Sequence, residues 1–156
     1  MAISSPDLLE TIIDVAPDST LSRLRALRPD IVRHTQGSYD VLLCPADPGG
    51  LSLAERALIA ASVAEASSHP TLAQHYRGLL AQRGEPADGE RRETILRHVA
   101  RVTTAPGTAS RAHIEALRAV GLTDRDIVAL TQLVAFVSYQ VRAAVGLALL
   151  AQGQAT

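Results

Sequence analysis

Apolar residues recur along this chain at helical rather than strand spacing. From residue 57 to residue 66 almost every position is apolar, the exceptions being Ser62 and Glu65. A helix that is hydrophobic all round is normally buried, so this one is expected to run through the middle of the fold. Ser52 followed three residues later by Glu55 predicts a capping box at its start. The run Ser67-Ser68-His69-Pro70 breaks it, and a second helix carrying His75 and Tyr76 follows to Leu80. The two should form a central antiparallel pair.

On the N-terminal side, a short helix is expected over 6–16, opened by Ser5-Pro6-Asp7 and closed before Pro17. Asp18 or Ser19 caps the next, with Leu21, Leu24 and Leu27 as its apolar stripe until Pro29 stops it. Pro29 suits the first turn of a third helix over 30–43, with Ile31, Val32, Tyr39, Leu42 and Leu43 as its apolar residues. CPADPGG, residues 44–50, is the clearest loop in the chain. After a second loop over 81–89, Asp88 is expected to cap a helix to about Thr103. Its apolar face is Ile95, Leu96, Val99 and Val102, and it leaves Arg91, Arg92, Glu93 and Arg101 to water. A turn on Pro106-Gly107 leads to a helix opened by Ser110, bearing Ile114, Leu117 and Val120, with Gly121 as a left-handed C-terminal cap. Thr123 with Asp126 begins the last and longest helix, which continues to about Leu150. No segment alternates as a strand would. The expectation is one all-α domain over 1–156, with an N-terminal helical arm (1–50) and a core (51–156).

Composition narrows the chemistry. The formal charge of −1 and the pI near 6.5 give no electrostatic footprint for nucleic acid, and 3% aromatics leave little for stacking on single strands. No lysine occurs, which removes Schiff-base chemistry and a phosphate-loop lysine. Cys44 is the single cysteine, so an intramolecular disulfide, a CxxC redox pair and a multi-cysteine zinc site are excluded. The histidines at 34, 69, 75, 98 and 113 show no HExxH spacing, and no metal or other cofactor is expected. The opening MAISSPDLLETIIDV is acidic and lacks the basic region of a secretory signal. The apolar stretch 127–150 is interrupted by Gln132, Gln140 and Arg142, and an arginine near mid-bilayer costs about 2.5–3.5 kcal/mol. A cytoplasmic protein without a membrane span is the expectation.

Two segments carry a family resemblance. LSLAERALIAASVAEAS…TLAQHYRGLL, within residues 51–80, resembles the central helix pair of the carboxymuconolactone decarboxylase family and its alkylhydroperoxidase-D-like relatives. ALRAVGLTDRDIVALTQLVAFVSYQVRAAVGLALL, residues 116–150, resembles their closing helix hairpin. The resemblance implies a helical bundle that assembles as a homo-oligomer (dimer, trimer or hexamer) through these helices. The family's thiol peroxidases place a CxxC pair at the start of the second central helix; on this chain those positions fall on His69 and Leu72. Their upstream glutamate position falls on Ala57, and their histidine on His75 or Tyr76. A peroxidatic thiolate and a resolving thiol are therefore both missing. The decarboxylase branch needs no cysteine, and its E-L-x-x-H-x-x-x-A-L pattern is matched at Leu72, His75 and Leu80.

The candidate site follows from both readings. His75 is either a hydrogen-bonded residue at the core edge or a proton donor and acceptor. His69 is a break residue or helix cap, or else pairs with Glu65, four residues away if the helix continues. Glu65, if buried, needs a cation, and Arg142 is the natural one; a structural ion pair competes with an arginine gripping a substrate carboxylate. Tyr76 and Tyr139 are core residues with a hydroxyl at the edge, or line a pocket. Gln132 and Gln140 point at a subunit interface. The reading is a small-molecule enzyme without thiol peroxidase activity, using cysteine-free acid/base chemistry on an organic acid or lactone. The alternatives are a non-catalytic oligomeric member beside an active CxxC-containing paralogue, and an atypical hydroperoxide-reducing antioxidant protein using Cys44.

Overall fold

The computed structural model describes residues 7–153, and every regular element among them is helical. The eight α-helices are α1 (Leu8–Ile12), α2 (Thr20–Ala26), α3 (Pro29–Leu43), α4 (Leu53–Ala66), α5 (Pro70–Arg83), α6 (Glu90–Thr104), α7 (Arg111–Ala119) and α8 (Asp124–Gly153), with a 3-10 turn at Pro106–Thr108. The all-α expectation, the central pair and the long last helix are all present.

Helix α4 is the hub, packing against α5, α8 and α6. Its sequence explains why: from Glu55 to Ala64 only Ser62 is not buried, so no face is left to prefer water. The capping box forms as read. Ser52 Oγ accepts from the Glu55 N–H at 3.2 Å, and Glu55 Oε2 accepts from the Ser52 N–H at 2.8 Å. Ser19 caps α2, Pro29 is the first residue of α3, and Gly121 takes the left-handed φ of 88°.

Several local readings are corrected. Helix α1 is shorter than 6–16 because Asp14 adopts a left-handed φ of 54° soon after Ile12; residue 6 lies outside the described residues. Leu24 and Leu27 are exposed while Leu21 alone of the α2 stripe is buried, because so short a helix presents only about two turns to its neighbours. Asp88 does not cap α6: Gly89 holds that position, and Asp88 pairs with Arg92 at 2.8 Å. Arg91 is only partly open to water. It donates to Glu55 Oε1 at 2.7 Å, to the Val120 carbonyl at 3.0 Å and to the Gly50 carbonyl at 2.6 Å.

The loop of residues 44–52 is held mainly from the core side. Arg56, 4% exposed, donates to the carbonyls of Leu42 (2.8 Å), Pro48 (3.0 Å) and Leu51 (3.0 Å). The buried carboxylate of Asp126 accepts from the Gly50 N–H at 2.8 Å and from the Thr123 N–H at 2.9 Å. Burial alone would raise the Asp126 pKa; the Thr123 and Gly50 hydrogen bonds and Arg91 reverse that and lower it. A Cβ on residue 50 would lie 2.5 Å from Asp126 Oδ2, so only glycine lets the loop backbone approach so closely. Replacing Arg56 by Met leaves three inward-turned carbonyls without their donor. A loss of about 3 kcal/mol in urea unfolding is expected, and Arg56→Lys should recover little of it because an ammonium cannot fan across three carbonyls.

Candidate functional site

Two neighbouring residues of α5 organise the site. Consecutive residues on a helix point about 100° apart, so His75 and Tyr76 leave α5 in different directions. Tyr76 turns inward, is fully buried, and donates its hydroxyl hydrogen bond to Gln140 Oε1 on α8. His75 turns toward α3, is half-buried, and shares a 3.0 Å hydrogen bond between Nε2 and the Tyr39 hydroxyl. The three rings pack together. Tyr39 and Tyr76 stack at 22° with centroids 6.4 Å apart, and His75 meets Tyr76 edge-on at 72° and 5.1 Å.

This surrounding favours neutral forms. Burial lowers the His75 pKa below that of an ordinary imidazole and raises that of Tyr39, with Cys44 and Asp40 adding to the rise and Arg83 opposing it. Burial likewise raises Tyr76, reinforced by Tyr39 and opposed by the bond to Gln140. His75 is thus a neutral imidazole near pH 7, able to accept a proton, with a phenol on Nε2. Nδ1 makes no hydrogen bond within the described residues. On its open side His75 lines a cleft of about 410 Å³ between α1 and α5, together with Thr11, Ile12, Thr71, Gln74, Gly78, Leu79 and Gln82.

Of the residues singled out from sequence, the structure brings together His75 and Tyr76. It does not bring in the others. Glu65 is exposed and pairs with Arg77 at 2.6 Å. Arg142 is exposed too, and donates to the carbonyl of Ser138 in its own helix at 3.2 Å. Neither charge is buried, so neither needed the other. His69 caps α5, its Nδ1 accepting from the Leu72 N–H at 3.3 Å. It cannot stand one helical turn from Glu65, because Ser68 takes a left-handed φ of 56° and ends the helix between them. Tyr139 is 43% exposed, and its hydroxyl lies 3.3 Å from Thr35 Oγ1. Gln140 is in the core rather than at a surface, whereas Gln132 is exposed.

Tyr39 and Gln140 are the hydrogen-bond partners that pattern reading missed. Periodicity gave Tyr39 an apolar position on the third helix and Gln140 a polar one at a subunit interface, and it does not show what either side chain hydrogen-bonds. One signal was available: the chain has three tyrosines and one phenylalanine in all, and two of the tyrosines converge on His75. Cys44, at the C-terminal end of α3, is exposed, and its Sγ accepts from Arg83 Nη2 at 3.0 Å. Among the described residues no three His, Cys, Asp or Glu side chains gather as a metal site would require.

No protein-family model matches the chain, and no curated protein matches it either. Solved structures do. An uncharacterized peroxidase-related protein from Silicibacter sp. TM1040 superposes with a TM-score of 0.59 at 24% identity, over 78% of this chain and 70% of that one. An alkylhydroperoxidase AhpD core structure, a peroxidase-related protein from Ralstonia eutropha JMP134, gives 0.55 at 26% identity, over 76% and 69%. The resemblance seen in the sequence and the likeness in structure agree: the chain has the alkylhydroperoxidase-D-like helical fold, and it has no CxxC pair.

The Tyr76–Gln140 bond joins α5 to α8 inside the core. Tyr76→Phe should cost about 1–3 kcal/mol by stranding the Gln140 carboxamide. The double variant Tyr76→Phe/Gln140→Leu should regain part of that loss in urea unfolding, since neither polar group is then left alone.

Proposed function

We propose that this protein is an enzyme of cysteine-free acid/base chemistry on a small carbonyl compound of the lactone type, with His75 as the proton acceptor and donor and Tyr39 as the group that orients it. The observation that carries this is the 3.0 Å Tyr39–His75 bond at the wall of an open cleft. It fixes one ring nitrogen and leaves the other for a ligand, the arrangement a general base needs. The family's CxxC mechanism has no support in the chain: its two cysteine positions fall on a helix cap, His69, and a core residue, Leu72.

The working form is a homo-oligomer, assembled through α8. Support comes from the outer face of that helix, where Val128, Gln132, Ala135, Tyr139, Gly146 and Leu149 are exposed and, from residue 128 to residue 149, Arg142 is the only charge. By length and composition α8 could also cross a bilayer, but its other face is core, with Leu130, Leu133, Val137 and Ala144 buried. A second copy is the cover that matches a half-buried helix.

Two outcomes are expected. Across a panel of small lactones and organic acids, His75→Gln lowers kcat/KM by about 10²–10⁴-fold on any substrate turned over. The folded His75 pKa lies below its ordinary value of 6.5, so the wild-type rate holds above that pH and falls as pH drops through the lower folded value. An unchanged rate in His75→Gln removes the proposed base. For the assembly, Ala135→Glu should shift the mass measured by light scattering to that of a single chain, and wild type already at one chain's mass would refute the oligomer.

A further inference from the structure

Gly78 lies in the interior of α5, where glycine weakens a helix relative to alanine because it has more backbone freedom to lose. Nothing in the described residues asks for it. Its φ is not among the positive ones, and a Cβ built there would meet no atom within 4 Å. What it does is leave bare backbone on the floor of the cleft beside His75. The cleft's polar groups are the hydroxyls of Thr11 and Thr71, the amides of Gln74 and Gln82, and His75 itself; among the described residues no Asp, Glu, Lys or Arg lines it. The guanidinium next in sequence, Arg77, is tied to Glu65 at 2.6 Å.

We infer that this cleft binds an uncharged, ring-bearing small molecule laid across the α5 backbone at Gly78, with its carbonyl or hydroxyl group turned to His75, and that Gly78 sets what fits. The inference rests on the reading of His75 as the group that faces the ligand. A carboxylate entering here would shed water and find no cation to replace it. The Thr71 hydroxyl and the glutamine amides both donate and accept, and the Thr11 oxygen, which donates to the Asp7 carbonyl at 3.2 Å, can still accept; they match a neutral carbonyl, amide or hydroxyl without that penalty. Ile12 and Leu79 supply apolar wall for a ring. This departs from the organic acid expected from the sequence, because Arg142, the residue meant to grip the carboxylate, is not part of the cleft.

Benzamide and benzoate form a suitable probe pair, being of one shape and differing in charge. With the full chain near neutral pH, benzamide should move the His75 ring resonances in NMR and bind about tenfold or more tightly than benzoate. Gly78→Ala should raise the melting temperature by about 1–3 °C while weakening benzamide about tenfold. Stabilisation with loss of binding is a combination that a purely structural glycine would not give. Benzoate binding as well as benzamide overturns the inference, as does the absence of any His75 shift with either probe at the solubility limit. An unweakened or less stable Gly78→Ala protein overturns the role of Gly78. Equal binding of both probes alongside His75-dependent turnover overturns this inference and leaves the acid/base chemistry standing. Selective benzamide binding without His75-dependent turnover sinks only the acid/base chemistry.

Discussion

The structure depends on one buried cation making hydrogen bonds to backbone rather than to an acid. Arg56 projects from the first turns of the most buried helix into a loop whose carbonyls point inward, and it answers those of Leu42, Pro48 and Leu51 together. Inward-turned carbonyls are costly unless paired, and a planar guanidinium is the side chain suited to pairing several in one stroke. Burial lowers its pKa, and Asp126 and Glu55 act against that fall. The outcome is positional: the end of α3 is fixed against the start of α4. Because Tyr39 lies on that same α3, the clamp also sets how Tyr39 meets α5. The site is thus held at a distance by a contact that touches none of its residues.

On α5 the division of labour is between adjacent positions. Tyr76 commits its hydroxyl to Gln140 and ties α5 to α8, which fixes the helix about its own axis. With that rotation fixed, His75 can only look toward Tyr39 and the cleft. A polar pair buried inside a core adds little net stability, but it selects one packing over its neighbours. Here the packing it selects is the one that aims the imidazole.

The helical architecture was legible because it is written in short-range signals. The Ser52/Glu55 box, Pro29, Gly121 and the unbroken apolar run of α4 each act within a turn or two, and each formed where the sequence placed it. The errors share one cause: charge pairing is decided by three-dimensional neighbours. Glu65 looked stranded in an apolar run, yet it falls at the exposed C-terminal end of α4 within reach of Arg77. Arg91 looked like one more solvated charge, yet α6 sets it over the Glu55 carboxylate and two loop carbonyls. Of the site, His75 and Tyr76 were visible through the family resemblance. Tyr39, thirty-six residues away from His75 in sequence, was not, since an aromatic at a buried helical position gives no sign of what its hydroxyl touches.

The surroundings of His75 also bear on why sulfur is absent. A thiolate needs a positive setting to lower its pKa, but this pocket moves each titrating group toward its neutral form: His75 downward, Tyr39 and Tyr76 upward. Leu72, one of the two positions on which the family resemblance places the thiol peroxidases' cysteines, is fully buried. A thiol placed there would be desolvated as its neighbours are, and its pKa would rise rather than fall. The burial that keeps His75 neutral is therefore at odds with a reactive thiolate in the same place.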